Sequence, residues 1–113
     1  MKLANVTFDS AEPAKLAEFW SAALDLPIGE SSEFFAMLRS ADGSGPNYLF
    51  LKVPEEKHTK NRMHVDFHAD DMAAEVERLV GLGAVRGDFH EEWGIRWTVM
   101  QDPEGNEFCV AAD

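Results

Sequence analysis

The chain has 113 residues, 45% of them hydrophobic, enough for one ordinary core and too few for two independent domains. Its formal net charge of −11 argues against nucleic acid or an anionic membrane as partner. The single cysteine, Cys109, excludes an intrachain disulfide framework, and no apolar run approaches the roughly 20 residues of a membrane span. Pro, Glu and Lys interrupt Met1–Leu24, so no signal peptide is read there, and a cytoplasmic protein is expected.

Lys2 to Asp9 reads as a strand, with Leu3, Val6 and Phe8 among smaller or polar residues. Asp9 or Ser10 can cap a helix whose first turn holds Glu12 and Pro13. Leu16, Phe19, Trp20, Ala23 and Leu24 then form an apolar stripe at helical spacing. Pro27 and Gly29 punctuate a short irregular strand. Phe34 to Ser40 and Tyr48 to Val53 follow as strands around the turn at Asp42-Gly43-Ser44-Gly45-Pro46.

Glu55 to Asn61 is a charged linker, and beyond it the pattern restarts. Met63 to His68 is a strand. Asp70 or Asp71 caps a helix with Met72, Val76, Leu79 and Val80 on one face, ended by Gly81 or Gly83. Val85 to Phe89 and Ile95 to Gln101 are strands, Asp102-Pro103-Glu104-Gly105-Asn106 is a tight turn, and Glu107 to Ala111 closes the chain.

The two halves repeat one another. Asn5-Val6-Thr7-Phe8-Asp9 and His64-Val65-Asp66-Phe67-His68 share Val and Phe at an offset of 59, and Leu49-Phe50-Leu51 fall on Phe108-Cys109-Val110 at the same offset. Residues 1–54 and 62–113 are thus two copies of β-α-β-β-β within a single domain, joined by the linker 55–61, and the fold class is α+β. Each copy is small enough to be marginal alone, so the halves are expected to share a sheet or clasp each other.

This order, with His64 and the Asp102-Pro103-Glu104-Gly105-Asn106 turn, resembles the vicinal oxygen chelate superfamily of glyoxalases, bleomycin-resistance proteins and extradiol dioxygenases. Within it the chain is similar to small bacterial glyoxalase-like domains. Leu16-Ala17-Glu18-Phe19-Trp20, Lys60-Asn61-Arg62-Met63-His64-Val65-Asp66 and Trp97 to Val110 carry the likeness. The resemblance implies two βαβββ modules forming a curved, mixed-sheet cup, and a homodimer. It also implies, in metal-using members, four ligands of His, Gln or Glu type on the first and last strands of the two halves.

Carried over through the shared turn, those positions are Asn5, Phe50, His64 and Cys109. Only His64 is of the expected type. A hard divalent ion wants oxygen ligands that this set lacks, so no metal and no cofactor are expected. One arrangement could still hold zinc. His64-x-Asp66-x-His68 sends two imidazoles and a carboxylate to one strand face, about 6.5–7 Å apart along the chain. Local hydrogen bonding or exposure to solvent is the competing account of that row.

The expected function is the binding of a small organic molecule in the cup, in the manner of bleomycin-resistance proteins. Asn5, Phe50, His64, His68, Trp97 and Cys109 are the candidate ligand-binding residues. Phe50 and Trp97 serve equally as cup wall or as core. For Cys109, a Cys on a closing strand, a small core residue is the more common role. A metal-free catalyst would use His64 as base, with Asp66 orienting it. The alternatives are a metal-dependent lyase, isomerase or dioxygenase, and a non-catalytic dimerisation or interaction module. His90-Glu91-Glu92-Trp93 reads as a loop, either solvated or a lid.

Overall fold

A computed structural model of the chain describes residues 3–112. Lys2, the expected first strand residue, lies outside them. The chain divides into two compact units, Met1–Glu56 and Lys57–Asp113. The first holds β1 (Asn5–Ser10), α1 (Pro13–Leu24), β2 (Ile28–Ser31), β3 (Phe35–Leu38) and β4 (Asn47–Lys52). The second holds β5 (Val65–Ala69), α2 (Met72–Leu82), β6 (Val85–Glu92), β7 (Ile95–Gln101) and β8 (Glu107–Ala112). The β-α-β-β-β order is therefore present twice, and the class is α+β. Each unit closes its own four-stranded mixed sheet, in the orders β1-β4-β3-β2 and β5-β8-β7-β6. Among the described residues no sheet is shared, because each first strand finds its parallel partner in the last strand of its own half.

In the first unit the helix stripe behaves as its spacing predicts. Leu16, Phe19 and Trp20 are buried. The Phe8 ring sits 5.5 Å from Trp20 and 5.2 Å from Phe50, so β1 and β4 present Phe8 and Phe50 to the helix side, with Ala36 and Leu38 of β3 buried alongside. The helix begins later than expected. Asp9 and Ser10 remain in β1, and Glu12 is the N-cap with no side-chain cap; Pro13 opens the helix without needing an N–H partner.

In the second unit Val76 and Leu79 of α2 cover Phe108, Val110 and Met100, all buried. Phe67 meets Phe108 edge-on at 6.0 Å, and the Thr98 hydroxyl donates to the Met72 sulfur at 3.8 Å. Asp71 is the cap, accepting from the Ala74 N–H at 3.1 Å, and Gly83 ends the helix at φ 118°. Val80, expected on the buried stripe, is 38% exposed, since the narrower α2 face buries only Val76 and Leu79. The segment His90-Glu91-Glu92-Trp93 is no loop: β6 continues to Glu92, and Trp93 (φ 53°) and Gly94 (φ 77°) make a two-residue hairpin turn into β7. Two consecutive positive φ values match the right-handed twist of the flanking strands.

One buried carboxylate fixes where β8 begins. Asp102 is 1% exposed, and its Oδ1 accepts from the backbone N–H groups of Glu104 (2.9 Å) and Asn106 (3.0 Å). Its Oδ2 accepts from Asn106 Nδ2 at 2.8 Å. The turn also needs φ 86° at Gly105, a left-handed conformation that costs little only without a Cβ. Asp102→Ala is expected to lower stability by about 2–3 kcal/mol, because charge-assisted bonds are lost and enclosed N–H groups are stranded. Asp102→Asn, which keeps an acceptor in place, should cost about 1 kcal/mol. Urea unfolding of the two variants measures both.

Candidate functional site

Alternation in β5, β7 and β8 splits the second sheet into a helix side and an open side. Register partners define rows across the open side. Asp66, Cys109 and Val99 form one row, and His68, Ala111, Trp97 and His90 the next. Glu107, Gln101 and Val85 form a third. A groove of about 700 Å³ lies over this face, between Lys57–Lys60 and β6, β7 and β8. Val99, Gln101, Glu107 and His90 are among its lining residues.

Backbone geometry draws β6 tightly against β7 beside the groove. β6 shifts register against β7 between Arg86 and Phe89. A Cβ at Gly87 would stand 2.7 Å from the Val99 carbonyl oxygen, closer than any side chain can approach. Glycine is therefore required where the two strands come together.

Glu107 holds the groove's other wall. Its carboxylate accepts from the Asn61 N–H at 2.9 Å and from Lys57 Nζ at 3.2 Å, while Asn61 Nδ2 donates to the Glu107 carbonyl at 3.2 Å. Burial alone would raise the Glu107 pKa; the Asn61 N–H and the Lys57 ammonium outweigh it and keep the carboxyl below its ordinary range. The stretch expected as a charged linker is thus tied to β8 through Lys57 and Asn61. The sequence places Glu107 on the strand face of Cys109 and sets it aside in favour of Cys109 at the family's carboxylate position; nothing local pointed to Lys57 as its partner, 50 residues away along the chain.

His64 stands just ahead of β5, and its Nδ1 lies 2.7 Å from Asp66 Oδ1. An ionised carboxylate only accepts, so in this contact Nδ1 carries the hydrogen. Both side chains are open to solvent, at 46% and 56%. Cys109 is 9% exposed and stands beside Asp66 as its register partner across the β5–β8 ladder. Burial and then the Asp66 charge push its pKa up from 9.0 to about 11, against an opposing pull from Lys60. His64 Nδ1, an Asp66 oxygen and Cys109 Sγ all lie within 4.8 Å of one another. The predicted row therefore closes differently: Cys109, across the β5–β8 ladder, joins His64 and Asp66, and His68, one row further along, does not.

The remaining candidates separate. Trp97 lies on the open side, half-buried, with the His90 ring stacked on it at 5.1 Å. Asn5 opens β1, exposed. Phe50 is fully buried beside Phe8 on the helix side of the first sheet, the core position of its two readings and not the cup wall. The cause is a register difference. Val6 pairs with Tyr48, whereas Val65 pairs with Phe108, so the partner of Thr7 is Leu49 and the partner of Asp66 is Cys109. Leu49, not Phe50, holds the place of Cys109 in the first unit, because a one-residue slip moves a side chain to the opposite face.

The metal centre implied by the family resemblance does not fit these residues. Asn5 and Leu49 occupy the first unit's two positions, and Leu49 has no donor atom. The second unit offers one imidazole, one carboxylate and one thiol, which is not the oxygen-rich set of a hard six-coordinate ion.

Comparison with known proteins agrees with this geometry at the level of fold. Three solved structures illustrate it. A glyoxalase/bleomycin resistance protein/dioxygenase family enzyme from Burkholderia phytofirmans PsJN has a TM-score of 0.83 at 16% identity, over 99% of this chain and 98% of that one. A glyoxalase/bleomycin resistance protein/dioxygenase from Nocardioides scores 0.78 at 14% identity, over 99% and 83%. Lactoylglutathione lyase from Agrobacterium tumefaciens scores 0.70 at 13% identity, over 98% and 92%. No curated protein matches the sequence. The sequence profile of the glyoxalase-like domain matches residues 5–111, spanning both βαβββ units, and the chain belongs to the glyoxalase-like domain family.

Proposed function

We propose that the protein binds a small polar organic molecule on the open face of its second sheet, without the four-ligand metal centre associated with its superfamily. The observation that carries this reading is the groove of about 700 Å³, a volume in the range of small-molecule sites. Its chemistry is mixed. Lys57, Lys60 and Arg86 bring positive charge to a chain of net charge −11, and Asp88, Glu104 and Glu107 balance it. His90, stacked on Trp97, offers a flat edge, and Val99 an apolar floor. Such a lining orients a ligand by a few polar contacts around a small apolar patch. The homodimer expected from the family resemblance belongs to the same proposal.

A second reading is favoured by the 2.7 Å contact between His64 and Asp66. With Nδ1–H held by the carboxylate, Nε2 is left with its lone pair, the arrangement of a general base with its orienting partner. In that reading a substrate bound beside His64 on the open face, outside the groove's own lining, gives up a proton to its ring.

The first reading is tested by screening small aromatic carboxylates and amides against ¹⁵N-labelled protein. Hits should shift the amides of Lys57–Lys60, Val99 and Gln101, and His90→Ala should weaken them about tenfold. Hits that map elsewhere, or no hits at millimolar concentration, would remove the groove from consideration. If the second reading holds, His64→Ala lowers turnover of a found substrate by 10²–10⁴-fold with ligand affinity nearly unchanged. An unaltered rate in that variant excludes His64 as base.

Covalent catalysis by Cys109 is disfavoured by its raised pKa, since the thiolate is the nucleophile. A rise from 9.0 to about 11 cuts the thiolate fraction near pH 8 roughly a hundredfold. Ellman's reagent should therefore label Cys109 at least about a hundred times more slowly in the native protein than in urea. Burst labelling of native protein would reveal an activated thiol instead.

A further inference from the structure

A single side chain of β8 holds a short arch over the groove. Glu107 Oε1 accepts from Lys57 Nζ at 3.2 Å and Oε2 from the Asn61 N–H at 2.9 Å, so both feet of the arch rest on one carboxylate. Asn61 Nδ2 adds a bond to the Glu107 carbonyl, and Lys57 Nζ donates back to the Thr59 carbonyl. The Lys57 and Glu107 side chains are largely enclosed, at 22% and 12% exposed. A pair so enclosed is screened much less than one in open solvent. The arch is thereby fixed to β8, with His58, Thr59 and Lys60 at its crown, all three lining the groove.

The crown offers donors and positive charge and contains no acid. Lys60 is its free cation. Lys57 is paired with Glu107 and Arg86 with Glu77, whereas Lys60 makes no ion pair among the described residues. The charge of Lys60 also reaches Cys109, where it opposes the rise in the thiol pKa, so the ammonium acts on the β8 side of the open face. The acid of that row, Asp66, is engaged by His64 and lies outside the groove lining. Across the groove the sign reverses: Asp88 on β6 lines that wall and has no ion-pair partner among the described residues. Between the walls lies Val99 of β7 and, one row further, the His90 ring stacked on Trp97 at 5.1 Å. An anionic group is thus attracted to the arch and repelled from β6, with a flat apolar surface between the two.

We infer that the groove takes a flat organic monoacid, its carboxylate held by Lys60 at the crown of the arch and its body laid over Val99 and His90. This rests on the groove being the binding site, as proposed above, and adds the ligand's charge and the wall that each end faces. The charge count sets the class. Histidines aside, Lys57, Lys60 and Arg86 are offset among the lining residues by Asp88, Glu104 and Glu107. One added negative charge has one free ammonium to meet, and a second would find no unpaired cation. A dianionic phosphate ester is therefore a poorer fit than a carboxylate. An amide of the same shape loses the charge-assisted bond to Lys60, which is roughly twice as strong as a neutral one.

Matched aromatic acids and amides test this on ¹⁵N-labelled protein. Benzoate and nicotinate are titrated beside benzamide and nicotinamide, with phenyl phosphate as the dianion. The acids should move the amide signals of His58, Thr59, Lys60 and Val99 and bind about tenfold more tightly than their amides, the size of one charge-assisted bond. Lys60 is exposed, and Lys60→Gln spares the contacts of Glu107. That variant should erase the preference for acids, and Lys60→Arg should keep most of it. Equal affinity of acids and amides in the groove, an unaltered preference in Lys60→Gln, or tighter binding of phenyl phosphate than of benzoate would overturn the inference and leave the groove as the binding site. Absence of groove shifts from both series at millimolar concentration would remove the site itself, and the inference with it.

Discussion

The parallel pairing of β8 with β5 is the constraint on which the second unit's chemistry depends. It sets Asp66 beside Cys109 and His68 beside Ala111, and through β7 it places Val99 and Trp97 on the same face. A slip of one residue would send Cys109 under the helix and raise Phe108 or Val110 into solvent. The apolar helix side resists that slip, since Phe108, Val110 and Met100 are buried there. The Asp102 turn resists it locally by fixing the start of the strand. Core packing and one buried carboxylate therefore jointly decide which atoms reach the open face.

The two units show how one architecture accepts different chemistry. Their helices and ladders correspond, yet the open face of the second carries imidazole, carboxylate and thiol where the first carries Asn5, Thr7 and Leu49. The helix sides diverge less, because both must exclude water. An aromatic set of Phe8, Trp20 and Phe50 fills the first. Phe67 and Phe108, with smaller aliphatic residues, fill the second. Duplication followed by divergence on one face is the simplest physical description of this pattern.

Electrostatics on the second unit's open face is local. The chain is strongly acidic, but Glu107 is held ionised by Lys57 and the Asn61 N–H, and this contact pins the segment that walls the groove. Asp66 has the opposite effect on Cys109. Its charge and the burial of the sulfur keep the thiol protonated. The same carboxylate that lies against His64 thus quiets the only cysteine.

The sequence by itself determined the element order, the helix stripe of Leu16, Phe19 and Trp20, a cap at Asp70 or Asp71, the turn at 102–106 and the family. Each depends on neighbours within a few residues, or on a motif whose chemistry is local. It also placed His64 beside Asp66, because strand alternation fixes residues two apart on one face. Tertiary structure alone decided the partners across strands. Leu49-Phe50-Leu51 is apolar without alternation, so matching it to Phe108-Cys109-Val110 by similarity gave no sign of which residue faces the helix. The ladder settled that Leu49, not Phe50, matches Cys109. Likewise His68 follows Asp66 along the chain, but Cys109 meets it in space. The distance across paired strands is shorter than two steps along one strand, and no local pattern encodes which residue lies there.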